Sequence, residues 1–290
     1  MKVAGFTFIR NAVKYDYPIV EAITSILPIC DEFIVALGSS EDETEALIRS
    51  INSPKIKIIH TFWDDTLRKG GKVLALETDK AMDAISDDVD WCFYIQGDEV
   101  VHEQDLPTVK LAMEANLMNH KADGLLFKYV HFWGSYEYVG DAPSWYRREI
   151  RVVRKNSEIR SYRDAQGFRK NNTKLFVKEI DAYIYHYGWV KNPHYQKEKA
   201  KSFSKYWHSD QHMEENKEEF ELFDYSTIDS LKLFKGTAPQ VMQARIQKQN
   251  WTFKFDMSKK KLSFKNKFKA VIEKYTGYRI GEYKNYTKLS

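Results

Sequence analysis

Residues 91–96 read WCFYIQ, an apolar and aromatic run that stops abruptly at Gly97-Asp98-Glu99. A short run of this kind, closed by a glycine and two acids, predicts a buried strand that ends in a polar turn. Three similar runs precede it, at 3–9 (VAGFTFI), 32–37 (EFIVAL) and 55–61 (KIKIIHT). Between them lie helical patterns. Residues 16–27 place Ile19, Val20, Ile23, Ile26 and Leu27 on one face, residues 41–51 are charged and helical in spacing, and 73–85 repeat the helical period. Strand alternating with helix predicts an α/β fold, a mostly parallel Rossmann-type sheet flanked by helices. Past residue 120 the texture changes. Strand-like runs at 125–133, 150–154 and 182–187 are separated by loops dense in Trp, Tyr, Arg and Asp, which predicts a mixed-sheet half. From about Pro193 the chain turns polar and Lys/Glu-rich, predicting a helical C-terminal extension with a basic tail.

The 290 residues are 43% apolar, 14% aromatic and 30% charged, ample for a core, which excludes a disordered chain or a disulfide-stapled miniprotein. Forty-five Lys plus Arg against 41 Asp plus Glu leave +4, too balanced for a nucleic-acid binder, and no nucleic-acid partner is expected. Cys30 and Cys92 lack metal-ligand spacing and read as buried thiols of a reducing compartment. The first ten residues carry no leader pattern, and no run reaches about 18 apolar residues. The expectation is a cytoplasmic protein, with a peripheral position at the inner face of the plasma membrane as the alternative.

In open parallel sheets ligands bind beyond the carboxyl ends of the strands. Those ends are polar here: Arg10-Asn11, then 38–44 (GSSEDET), then Trp63-Asp64-Asp65, then Gln96-Gly97-Asp98-Glu99. Ser40 and Asp42 are also good helix N-caps. Adjacent carboxylates at Asp98 and Glu99 suit a hard divalent cation, and a surface turn is the plain alternative. Lys72 follows Gly70-Gly71 at a helix start, where backbone N–H groups and an ammonium could meet phosphate; an ordinary helix start reads as well. Residues 131–146 (HFWGSYEYVGDAPSWY) hold six aromatics, Trp133, Trp145 and Tyr146 among them, suited either to stacking on sugar rings or to packing a loop onto the sheet.

FIRN after the first strand, GSSEDET after the second and DWCFYIQGDEVV after the fourth, in that order, resemble a family 2 glycosyltransferase of the GT-A nucleotide-sugar fold, of the bacterial cell-surface glycan type. The likeness covers about residues 1–105. It implies a donor-binding half at 1–105 and an acceptor half at 106–190, a catalytic domain at 1–190, and an extension at 191–290. It further implies a nucleoside diphosphate sugar donor held by Arg10, Asn11, Ser39, Asp42, Lys72 and Gln96, and a divalent metal, Mn2+ or Mg2+, held by Asp98, Glu99 and a late histidine. His186 is the candidate, with His131 behind it. A glycan or lipid-linked acceptor would meet His131, Trp133, Trp145 and Tyr146, and Asp164 in the turn-like DAQG would serve as general base of an inverting transfer, with Glu149 as the fallback. Two positions depart from the family pattern: Gly38 and Gln96 stand where acids are usual. A nucleotidyltransferase would need a glycine-rich loop after the first strand, which FIRNAVKYDY lacks. A sugar- or nucleotide-binding protein without catalysis remains the other alternative.

The tail from 254 to 290 holds ten Lys and one Arg against three acids, a net +8 in a chain whose remainder is −4. Phe264, Phe268, Val271, Ile272 and Tyr275 form one helical stripe among lysines. Two readings stand: a helix whose stripe docks on the domain, or a helix lying on an anionic membrane.

Overall fold

A computed structural model describes residues 1–67, 70–207, 223–258 and 261–289. β1 (Val3–Ile9), β2 (Glu32–Gly38), β3 (Ile56–Thr61) and β4 (Trp91–Tyr94) form a parallel sheet in the order β3-β2-β1-β4. β8 (Arg148–Arg154) pairs antiparallel with β4 and with β6 (Gly124–Trp133). β6 in turn pairs parallel with the 17-residue β11 (Thr173–Trp189). β9 (Ile159–Tyr162) and β10 (Gly167–Lys170) complete the far edge, and β5 (Glu99–Val101) adds antiparallel to β11. This is the expected α/β architecture, a parallel half continued by a mixed-sheet half.

Alternation along the strands builds two cores. Phe33, Val35 and Leu37 of β2, with Trp91 and Phe93 of β4, face α1 (Ile19–Ile26), α2 (Thr44–Arg49) and α4 (Leu106–Ala115). Phe6, Ile34, Ala36, Cys92 and Tyr94 point the other way, onto α3 (Lys72–Asp83). Each buried Phe is worth roughly 1.5–3 kcal/mol, so the sheet is held from both faces by its side-chain period of two. Both thiols are buried, and burial pushes each up to about 12.

The aromatic segment 131–146 is not one loop. It closes β6, turns at Gly134 and runs on as β7 (Ser135–Gly140), because alternating aromatics suit a half-buried pleated surface. Beyond the sheet, α5 (Pro193–Ser204) starts at Asn192, whose side chain accepts from His194 N–H at 3.1 Å, with Pro193 at the first helical position. The expected polar helical stretch continues into residues 208–222, which lie outside the described residues. α6 (Gln243–Gln247) and α7 (Phe264–Thr276) follow, and the C-terminal region also gives strands to the sheet: β12 (Leu231–Leu233) pairs with β7 and β13 (Tyr286–Lys288) with β11. No helix among the described residues is long and apolar enough to cross a membrane.

Candidate functional site

The carboxyl ends of β1 and β4, the β9–β10 turn and α5 enclose a cleft of about 900 Å³. Asn11, in the left-handed region at φ 55°, turns the chain sharply after β1. Its side chain accepts from Glu41 N–H at 2.8 Å, and its own N–H donates to Ser40 Oγ at 3.1 Å. Asp42 accepts from Lys14 N–H at 2.7 Å and from the Thr44 hydroxyl, while the Ser39 carbonyl accepts from Arg10 Nε at 3.1 Å. The second-strand motif thus clamps the first-strand loop: Arg10 and Asn11 line the cleft, whereas Ser39 and Asp42 are its braces and do not.

Gly38 has a physical reason. A Cβ there would lie 2.4 Å from Trp63 Nε1, so the indole occupies the room an acid would need. Trp63 is buried, lines the cleft, and carries the Arg10 guanidinium 5.7 Å from its ring centroid. Its indole N–H has no hydrogen-bond partner among the described residues.

Asp98 forms the floor. Burial alone would push its carboxyl up; Lys199 on α5, then His186, outweigh burial and hold it well below the usual carboxylate range. Lys199 Nζ donates to Oδ2 at 2.9 Å, and His186 Nε2 stands 3.8 Å from Oδ1. Lys191 lies fully buried nearby, its ammonium donating to Tyr15 O at 2.6 Å and packed with Lys199 against the Tyr17 ring; burial and then Lys199 drive its pKa well down.

The histidine tautomers follow from the bonds. His131 Nε2 lies 2.8 Å from the Tyr146 carbonyl, which can only accept, so Nε2 carries the proton. Burial, then His186, pushes His131 down to about 3, so it is neutral and its bare Nδ1 accepts from His186 Nδ1 at 3.1 Å. Burial also lowers His186 against the pull of Asp98 and Glu99. A neutral His186 therefore turns an unprotonated Nε2 toward Asp98. Two acceptors facing one another call for a cation. Gly188 lets both side chains press against the backbone: a Cβ there would fall 2.6 Å from His186 Nε2 and 2.8 Å from Asp98 Oδ2, closer than either could tolerate without moving. Asp98 and His186 are the side chains here that could hold a divalent ion. No group of three or more His, Cys, Asp or Glu able to hold a metal occurs among the described residues.

Glu99 requires a correction. It is fully buried and accepts from Arg151 Nε and Nη2, each at 2.8 Å, from the Tyr129 hydroxyl at 2.8 Å and from Gln96 N–H at 3.1 Å. Each oxygen takes two bonds, which fills its acceptor capacity. It is a structural ion pair rather than a metal ligand. Gln96 lines the cleft with its amide donating to Ala165 O at 3.2 Å.

Asp164, in the β9–β10 turn between left-handed Arg163 and Ala165, also lines the cleft, and burial raises its pKa. Glu149 on β8 is buried and is not part of the lining; burial lifts it to about 7 against the pull of Arg151. Among the residues expected to meet an acceptor, Tyr146 lines the cleft. Trp133 is core, its indole donating to Tyr225 O at 2.9 Å and its ring packed on Trp189. Trp145 and His131 stack on each other behind Tyr146, with His131 buried. Lys72 is exposed and outside the lining. Sequence reasoning missed Lys199 and Lys191, which sit in a polar stretch that reads as surface, and Trp63.

No family model and no curated protein matches the sequence. Among solved structures the chain is similar to S. aureus TarS 1-349 in complex with UDP, at 16% identity over 70% of this chain and a TM-score of 0.39. It is also similar to glucosyl-3-phosphoglycerate synthase from Mycobacterium tuberculosis in complex with Mn2+, UDP and phosphoglyceric acid, at 20% identity over 45% of this chain and a TM-score of 0.31. The chain spans 64% of the length of the first and 43% of the second, and at such scores neither likeness assigns a role to any residue.

Proposed function

We propose that the protein is a glycosyltransferase that moves a sugar from a nucleoside diphosphate sugar to a hydroxyl acceptor with inversion. The observation that carries this reading is the Asp98 floor, where a depressed carboxylate, an unprotonated His186 nitrogen and the Lys199 ammonium converge at the carboxyl end of β4. Such a mixture of acceptors and a cation suits a diphosphate and its counter-ion. Arg10, Asn11, Gln96 and Trp63 form the side of the cleft for the nucleoside. When bound, Mn2+ or Mg2+ on Asp98 and His186 would neutralise charge on the leaving diphosphate.

The acceptor oxygen attacks the anomeric carbon, the bond to the diphosphate breaks, and the acceptor proton passes to Asp164. Burial has raised that carboxyl toward a pKa useful for accepting a proton. Lys199 meets the departing negative charge. Tyr146 offers an aromatic face at the acceptor side, and a surface polysaccharide or lipid-linked glycan made in the cytoplasm is the class of acceptor proposed.

The test is a thermal-shift screen against UDP-, GDP-, dTDP- and CMP-sugars followed by donor turnover with Mn2+. Stabilisation by one donor with turnover supports the reading, since a ligand of the folded state raises the midpoint. Stabilisation without turnover on any hydroxyl acceptor would make the protein a binder instead.

A further inference from the structure

The C-terminal helix α7 has no buried residue. Ser263 caps its start by accepting from Asn266 N–H at 3.2 Å, and left-handed Gly277 ends it. Its apolar stripe does not dock on the domain: Phe264 is 90% exposed, Phe268 61%, Val271 54% and Tyr275 79%. At about 100° per residue, these four and the half-buried Ile272 fall on an arc of about 100°. Lys267 and Lys274 border one side of that arc, Lys265 and Lys269 the other. Glu273 projects from the opposite face and ties the helix down. It takes Arg147 Nη1 at 2.9 Å and Arg279 Nε at 2.7 Å, while Arg279 Nη1 also donates to the Trp145 carbonyl. The helix is thus fixed by its polar back to the segment that carries Tyr146 at the cleft, with its apolar front outward.

We propose that α7 lies in the headgroup layer of an anionic lipid bilayer. The stripe enters the acyl boundary, and the bordering lysines reach back to lipid phosphates, as long cationic side chains do. Tyr278 and Tyr283 beyond the helix are exposed as well. Charge chooses this occupant over a second copy of the chain: the tail carries +8, so two such faces repel where an anionic surface attracts. The surface also brings lipid to the Tyr146 side of the cleft. This inference does not rest on the proposed chemistry, because it is read by binding alone.

Flotation of the full chain with vesicles tests it, comparing phosphatidylcholine alone with phosphatidylcholine containing about a quarter phosphatidylglycerol. The wild type should float with the anionic vesicles at low salt, be released at high salt, and ignore the neutral ones. The combined Lys265→Gln, Lys267→Gln, Lys269→Gln and Lys274→Gln variant should bind at least about a hundredfold more weakly, at roughly fivefold per lysine. The Phe264→Ser, Phe268→Ser and Tyr275→Ser variant should lose binding at all salt concentrations with an unchanged melting midpoint. Absence of wild-type binding, or equal binding by all three proteins, overturns the proposal. So does a wild-type dimer in sedimentation velocity that the serine variant dissolves, which would give the stripe to a second copy.

Discussion

Lys199 Nζ lies 2.9 Å from Asp98 Oδ2, and both side chains are largely shielded from water, so neither charge is stable without the other. Removing one partner of a buried pair typically costs about 3–5 kcal/mol. Here both side chains keep a little exposure, and Lys199→Met should destabilise the fold by roughly 2–3 kcal/mol at pH 7. Asp98 has a depressed folded pKa, so its contribution is present above the unfolded value of about 3.9 and is lost as pH falls below it. The variant's deficit should therefore shrink as the pH falls to 4 and lower. Urea denaturation at both pH values checks it; a deficit that does not change with pH would mean that packing, not charge, joins α5 to Asp98.

Asp98→Ala should abolish metal-dependent donor turnover at a cost in stability comparable to that of Lys199→Met, and a chelator should abolish turnover of the wild type without that cost. Full turnover in either case removes the metal role from Asp98.

Gly188→Ala is the sharper test of the same space. The added methyl would overlap His186 Nε2 and Asp98 Oδ2 and push both out of place without removing either side chain. Titration of Mn2+ and nucleoside diphosphate by calorimetry should show affinity lowered at least about tenfold, the equivalent of 1.4 kcal/mol. Unchanged affinity would place the diphosphate elsewhere in the cleft.

Asp164→Asn should lower turnover by about a hundredfold to ten-thousandfold, with donor affinity within a few fold of wild type. Steady-state kinetics against donor and acceptor separate the two. Product that keeps the anomeric configuration of the donor would remove the need for such a base.

Glu149 supplies a pH signature independent of catalysis. Its folded pKa, about 7, is above its ordinary 4.5, so between these values the folded state holds more protons and stability falls as pH rises. Glu149→Gln should flatten that slope and gain on the order of 2–3 kcal/mol at pH 8. Chemical denaturation from pH 5 to 8 reads it directly; a parallel slope in the variant would assign the dependence to another group.

The parallel half was legible because each strand there is a local apolar run. β1 is Val3–Ile9 as expected, and β2 and β3 differ from expectation by a residue. β9, β10 and β13 were not seen because they are short and polar; β9 and β10 form by hairpin pairing with one another and with the start of β11, and β13 by pairing with β11 far back in the chain. β11 was expected only at 182–187, because its first half, TKLFVKEID, alternates charge with apolar residues and takes its strand form from β6 and β13. At the site, residues next to strand ends were readable. Lys199 was not, since nothing local tells a lysine on a polar helix that it will meet a carboxylate 101 residues away. Trp133 and Trp145 misled because an aromatic that packs and one that meets a ligand look alike before the fold assigns their neighbours.

Strand β13 has a practical bearing on how the protein keeps. Tyr286–Lys288 covers the β11 ladder at Leu175–Val177, and Leu289 N–H closes the patch on Val177 O at 2.9 Å. A protease that nicks the exposed chain around Tyr283 would uncover a row of unpaired amides and carbonyls, a ready template for another molecule's strand. Clipped material should therefore announce itself in storage by clouding with concentration well before its cleft loses the capacity to bind.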